Sequence, residues 1–234
     1  MFDVSAAPTM PYKGIIFDFN GVLLWDAPLH IQAWQTTAMQ LRSQNFSDEE
    51  FANHVHGRTN AHILAYLTGR ELVGEELLKL IQYKESMYRD LCLKNPAMFS
   101  LSPGAEALLD AITLANIPCT IATASEKTNL DFFVQHLNLA KWFDLTSIVY
   151  DDGKLPGKPA PDMYAKAASN INIAPQQCIV IEDAISGFKS AHAAGIGHII
   201  GLGPSITHSK LMANCGVSRV IESLEEFPRE LFSA

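Results

Sequence analysis

Asp18, Thr123, Lys158 and the adjacent pair Glu182 and Asp183 are the residues of this chain whose types could do chemistry together. Three carboxylates gathered at one point would repel one another unless a cation lay between them. The set holds only oxygen donors and no His or Cys, which suits Mg2+. A lysine, a hydroxyl and Mg2+ are the equipment for holding a phosphoryl group. Singly, each residue has an ordinary reading. Asp18 stands in a turn-like Asp-Phe-Asn-Gly, Lys158 in a Pro- and Gly-rich stretch, and Glu182 and Asp183 could simply favour a helix N-terminus. Their meaning depends on whether the fold brings them together.

The elements that must position them can be read from the apolar pattern. Short continuous apolar runs at 14–17, 119–122, 178–181 and 196–200 suit strands covered on both faces, as in a parallel sheet. Helical patterns alternate with them over 105–114, 127–137, 161–169 and 184–194, the last closed by Gly195. This alternation predicts a doubly wound parallel α/β sheet with a Rossmann-like core. The chemical residues then fall at or just after strand C-termini, the edge where open parallel sheets bind ligands. Residues 27–95 break the rhythm. They hold helical segments alone, at 29–41, 48–56, 61–68 and 75–93, with Ser47 and Glu50 spaced as a capping box. The expected organisation is a core of residues 1–26 plus 96–234 and an inserted all-helical cap subdomain over 27–95, with Pro28 and Pro96 at its edges.

Composition narrows the partners. Among 234 residues, 17 Lys and Arg against 25 Asp and Glu give a formal charge of −8, and 48% of the residues are hydrophobic. That is too apolar for a disordered chain and lacks the basic footprint of a nucleic-acid binder. No apolar run reaches the roughly 18 residues of a membrane helix, and the N-terminus lacks a secretory-signal pattern. The four cysteines show no metal-ligand spacing and read as buried thiols of a reducing compartment. A cytoplasmic protein, monomeric or a weak homodimer, is expected. His54 and His56, two apart on a predicted helix, would point away from each other and read as surface or packing residues.

Four segments in order, Phe17-Asp18-Phe19-Asn20-Gly21-Val22-Leu23, Ala122-Thr123-Ala124-Ser125, Gly157-Lys158-Pro159-Ala160-Pro161-Asp162 and Ile181-Glu182-Asp183-Ala184, resemble the motifs of haloacid dehalogenase-like phosphotransferases. The closest subgroup is the β-phosphoglucomutase-like one, whose helical cap follows the first motif. The resemblance runs from about residue 13 to 220. It implies that Asp18 is a nucleophile forming an aspartyl-phosphate. It further implies Mg2+ held by Asp18, the main-chain carbonyl of Asn20 and Asp183, with Glu182 behind or acting through water. Thr123, Ala124, Lys158 and the backbone N–H groups of residues 19–21, Gly21 included, would hold the phosphoryl oxygens.

The chain departs from that pattern in two places. Family phosphatases carry a second aspartate where Asn20 stands, and an amide cannot exchange a proton at neutral pH. Loss of a general acid/base costs roughly 10²–10⁴-fold, so Asn20 predicts slow or leaving-group-restricted turnover, and Asn20→Asp should raise it. Asp26 and His30 are candidate replacements by proximity in sequence. In the cap, Asn60 occupies the place of the mutase arginine and Arg58 lies two residues earlier, while Lys84 matches a substrate-side lysine. Arg58, His54, His56 and His62 either read the substrate or form a solvated polar face. The expected function is a Mg2+-dependent phosphatase of a small phosphorylated metabolite resembling a sugar phosphate. A β-phosphoglucomutase-type phosphotransferase and a catalytically impaired phosphate-ligand binder remain the alternatives.

Overall fold

The structure, a computed structural model, describes residues 12–231; the expectation about the extreme N-terminus concerns residues 1–11 and lies outside them. Six parallel strands form one sheet: β1 (Gly14–Phe17), β2 (Cys119–Glu126), β3 (Val149–Asp151), β4 (Cys178–Glu182), β5 (His198–Leu202) and β6 (Val217–Ile221), in the order β3-β2-β1-β4-β5-β6. Alternate side chains explain why the strand runs are apolar throughout. Ile15, Phe17, Ile121, Ile179 and Ile181 enter a core with helices α5 (Ala105–Leu114) and α6 (Lys127–Leu137). Ile16, Ala122 and Val180 enter another with α7 (Asp162–Asn170) and α8 (Ile185–Ala193). The sheet is therefore doubly wound, as its pattern predicts.

Strands β3, with only the short apolar run Ile148-Val149-Tyr150, and β6, whose apolar residues are interrupted by Ser218 and Arg219, are additions to the sequence reading. They are the two edges of the sheet; β3 spans three residues, and Ser218 and Arg219 of β6 are exposed. Short, polar edges are how sheets avoid pairing with other chains. Strand β2 also runs on through Glu126, so Thr123 lies within the strand rather than after it.

Between β1 and α5 come α1 (Ala27–Arg42), a short α2 (Asp48–Glu50), a π-helical turn (Phe51–Val55), α3 (Asn60–Thr68) and α4 (Gly74–Lys94). The capping box forms as expected, with the Ser47 hydroxyl accepting from Glu50 N–H and the Glu50 carboxylate accepting from Ser47 N–H. The continuous helix expected over 48–56 does not: its second half is π-helical and ends at Val55, and His56 is extended. Trp34, Ala38, Phe46, Val55, Ile63, Leu64 and Ile81 form a separate apolar cluster among these helices. Leu29, Ala33, Tyr88 and Cys92 instead join the core that contains Phe19 and Phe133. No helix among the described residues is long and apolar enough to cross a membrane.

Candidate active site

Strand register places the chemical residues at one level. Phe17 pairs with Ile121 on one side and Ile181 on the other, so the next residues along the three strands are Asp18, Ala122 and Glu182. Asp18 N–H extends the ladder to Ile181 O at 3.0 Å. Beyond it the chain turns sharply, and Gly21 takes φ +87°. A Cβ there would stand 2.0 Å from Asp183 Oδ2, so this turn needs a glycine both for its dihedral and for its closeness to the carboxylate.

Asp18, Glu182 and Asp183 bring one carboxylate oxygen each to within 4.8 Å of one another. The Lys158 ammonium lies behind them, 2.9 Å from Asp18 Oδ1 and 2.8 Å from Glu182 Oε2. Glu182 is fully buried and fixed from all sides: Tyr164 hydroxyl and Lys158 donate to Oε2, and the N–H groups of Asp183 and Ala184 to Oε1 at 3.0 Å. A Cβ on Gly187 would fall 1.8 Å from the same carboxylate. On Asp183, His56 Nε2 stands 3.2 Å from Oδ2.

Burial, reinforced by the charge of Glu182, raises the Asp18 carboxyl well above its ordinary range despite Lys158. Burial likewise raises Asp183 against the opposing pull of His56. For Glu182 burial is outweighed by Lys158, and its carboxyl is lowered. For Lys158 burial is outweighed by Asp18 and Glu182, which hold the ammonium above its usual range. Asp183 drives the His56 imidazole up to about 9. Three carboxylates against Lys158 and the imidazolium of His56 still leave a surplus of negative charge when all are ionised, and the carboxylate donor set is all oxygen. Asp18, Glu182 and Asp183 thus fit a hard divalent cation.

A cavity of about 120 Å3 opens over this cluster, and Asp18, Asn20, Gly21, Thr123, Ala124 and Asp183 line it from the sheet edge. His30, Arg58 and Lys84 line it from the helical side. Lys158 and Glu182 lie beneath it. A larger groove of about 900 Å3 adjoins and shares Gly21, His56, Arg58 and Asp183. The Thr123 hydroxyl is buried and accepts from Ser125 N–H at 3.1 Å. Arg58 Nη1 reaches Lys158 O at 3.5 Å.

Some expectations change. The Gly21 N–H donates to Leu24 O at 2.7 Å, so it is spent on the turn and is not an open phosphoryl donor. His56, read from helical spacing as a surface or packing residue, is exposed as expected. It also pairs with Asp183, which helical spacing did not reveal because the helix ends before it. His54 does pack, stacking on Tyr66 at 4.0 Å between ring centres. The cysteines are free; Cys92 and Cys178 are buried as expected, but Cys215 is exposed.

Asn20 is the hub of a second network. Its amide nitrogen donates to Asp26 Oδ2 at 2.7 Å, and its oxygen accepts from the Ser125 hydroxyl at 2.9 Å. Asp26 is fully buried, and its Oδ2 also takes the Tyr88 hydroxyl and lies 3.2 Å from His30 Nε2. Its Oδ1, also buried, has no partner among the described residues. Burial would raise this carboxyl, but His30, Tyr88 and Asn20 together lower it. His30 stacks on Tyr88 and receives the Lys84 ammonium at Nδ1, 3.1 Å away. On its other side His30 Nε2 lies 3.3 Å from Asn20 Nδ2 as well as 3.2 Å from Asp26 Oδ2, so the ring links Lys84 to the Asn20–Asp26 pair. Sequence reasoning gave no role to Tyr164, Ser125 or Glu85; Ser125 had a visible signal as the last residue of the second motif and Glu85 as an acid adjacent to a site lysine.

A haloacid dehalogenase-like hydrolase family model matches residues 12–195. A solved structure of an Entamoeba histolytica HAD hydrolase of family IA, variant 3, is 36% identical, with a TM-score of 0.83 over 94% of this chain and 97% of that one. Hexitol phosphatase A of Escherichia coli is 28% identical over 93% of this chain and 94% of its own length. A β-phosphoglucomutase of Bacillus subtilis is 27% identical over 92% and 94%. Phosphatase and mutase are about equally near, so the choice between their reactions falls to the residues of the site.

Proposed function

The chain belongs to the haloacid dehalogenase-like hydrolases, and from that premise we propose that it is a Mg2+-dependent phosphatase of a small, sugar-like phosphorylated metabolite. The observation that carries this reading is the Asp18 carboxylate, tied at Oδ1 to Lys158 beside Glu182 and Asp183 and lining the cavity between the sheet edge and the helical segment. Lys158 fixes one oxygen of Asp18 and leaves Oδ2 as the nucleophile. That oxygen forms a bond to phosphorus as the bond to the leaving group breaks, giving an aspartyl-phosphate; water then attacks phosphorus and restores Asp18. Thr123 and Lys158 hold phosphoryl oxygens. Asp18, Asp183 and the main-chain carbonyl of Asn20, with Glu182 behind, are the residues that would hold Mg2+, which supplies charge neutralisation between nucleophile and phosphoryl group.

Residues 27–95 act in this reading as a cap that excludes water around the reacting phosphoryl group. Hydrogen bonds tie it to the core: Asn60 Nδ2 to Glu126 Oε1 at 3.1 Å, and Ser186 Oγ to Gly57 O at 3.0 Å. The phosphatase is favoured over the mutase because Asn60 takes the place of the mutase cap's arginine and its amide is spent on Glu85 and Glu126. Proton exchange at residue 20, which phosphatase and mutase of this family share, does not separate them. Here that residue is an amide with its nitrogen committed to Asp26 and its oxygen to Ser125. Asn20 contributes position rather than a proton, so good leaving groups should be turned over fastest. The test is release of inorganic phosphate from a panel of phosphomonoesters with and without Mg2+. Release that depends on Mg2+ and is abolished by EDTA supports the reading. Tight binding of phosphate esters with no release would make the protein a binder instead.

A further inference from the structure

Resting on the phosphatase reading, we propose that Glu85 sets the charge selectivity of the site. It cancels Lys84 within the cavity wall, so the site takes phosphate monoesters with a neutral, hydroxylated leaving group and turns away those bearing a second phosphate. Lys84 lines the cavity yet is 1% exposed. Its partners are already placed: Glu85 Oε1 at 2.8 Å, His30 Nδ1 at 3.1 Å and the face of Trp34, 4.7 Å from the ring centre. An ammonium has three donors and no more. With two donors spent on Glu85 and His30 and the charge sitting over the Trp34 ring, Lys84 has at most one donor left for a distal phosphate.

Glu85 is held as firmly. Oε1 also accepts from Asn60 Nδ2 at 2.7 Å, and Oε2 accepts from Asn129 Nδ2, whose own Oδ1 takes Arg89 Nη1 at 2.7 Å. Three side chains from two helices and the core thus keep the carboxylate in place against Lys84, and the pair carries no net charge. Arg58 and His56, the other cationic side chains that line the cavity from the helical side, serve its reacting end: Arg58 points its guanidinium to the main chain of Lys158 and His56 pairs with Asp183. A second phosphate would meet a neutralised lysine and the negative charge of Glu85. A hydroxyl is better served, because a carboxylate offers about four lone-pair sites and three donors are counted here. Trp34, Val55 and Ile63 add apolar wall for the C–H faces of a short polyol.

The test separates this selectivity from turnover. Asp18→Asn protein in saturating Mg2+ is titrated calorimetrically with fructose 1-phosphate and with fructose 1,6-bisphosphate, which differ by the second phosphate. The monophosphate is expected to bind at least about tenfold more tightly. Equal or tighter binding of the bisphosphate, or binding of neither, overturns the proposal, and this comparison needs no change at Glu85. Adding Glu85→Gln unpairs Lys84 and should move the ratio toward the bisphosphate by about tenfold. Adding Lys84→Met as well should move it back. A ratio unmoved by Glu85→Gln also overturns the proposal. Phosphate release by the unaltered protein is scored separately: its absence from every ester refutes the phosphatase reading, whatever the titrations give.

Discussion

At the sheet edge, Asp18, Glu182 and Asp183 share one buried lysine and a half-exposed imidazole, whereas on the helical side Lys84 and Glu85 pair one to one. Both clusters line or underlie the same cavity, and both are positioned by regular elements. They differ in what remains after internal pairing. The sheet-edge cluster keeps an excess of negative charge that an added cation would relieve, and the helical cluster keeps none. For Glu85, burial is outweighed by Lys84, with help from His30 and Asn129, and its carboxyl falls to about 2. Asp18, with burial and Glu182 both acting against ionisation, moves the opposite way. Chemistry belongs where charge is left unresolved; recognition belongs where it has been balanced.

The sharpest way to break this contrast is at Asp18. Asp18→Asn removes the nucleophile while keeping its shape, and phosphate release should fall by about 10⁴-fold or more. Residual release near the unaltered rate in a phosphate assay would remove the sheet edge from the chemistry. Next is Lys158→Met. It strips the phosphoryl-binding cation and leaves Asp18 and Glu182 buried without their partner. Turnover should drop by about 10²–10³-fold, and unfolding in denaturant should show a loss of about 3–5 kcal/mol. A variant as stable as the parent would show that the lysine does not balance these carboxylates.

The boundary between the clusters runs through Asn20. Asn20→Asp would restore a family acid, yet its new carboxylate would stand where an amide nitrogen now lies 2.7 Å from Asp26 Oδ2. Two carboxylates at that distance cannot both ionise comfortably. The exchange Asn20→Asp with Asp26→Asn keeps one amide and one carboxylate in contact. Esters with poor leaving groups should gain up to about 10²-fold in kcat from the exchange, with a smaller gain from Asn20→Asp alone. If the single change equals the exchange, Asp26 is not what keeps residue 20 an amide.

Much of the sheet edge was legible in the sequence. The apolar runs of β1 and β4 end immediately at Asp18 and Glu182, and a parallel sheet has one carboxyl edge to which such residues must come. The helical side was legible mainly as a set of helices. Nothing in the spacing of Asn60, Glu85 and Asn129 reveals that three separate helices join them, because these contacts follow from how the helices pack. Tyr164 was hidden for the same reason, as a core-facing position of α7 whose hydroxyl happens to reach Glu182. The pairing of His56 with Asp183 was missed because helical spacing was applied past the point where a π-helical turn ends the helix.

His56 joins the two regions, since it comes from the helical segment yet pairs with Asp183, and its contribution is the smallest of those predicted. Its imidazole is lifted from the ordinary 6.5 to about 9 by Asp183. A group raised on folding stabilises fully below its unfolded value and loses that contribution as pH rises through the folded one. The window is therefore pH 6.5 to 9, with the metal removed by EDTA. Two facts keep the gain small. The histidine side chain is 47% exposed, so solvent screens the pair, and the Asp183 carboxyl remains above its usual range because burial outweighs His56. About 1 kcal/mol or less is expected. Relative to His56→Gln, the unaltered protein should be more stable to denaturant at pH 6 and lose that advantage by pH 10. Parallel profiles across the range would mean that the helical segment is held to the sheet edge by Ser186 and Gly57 and not by this pair.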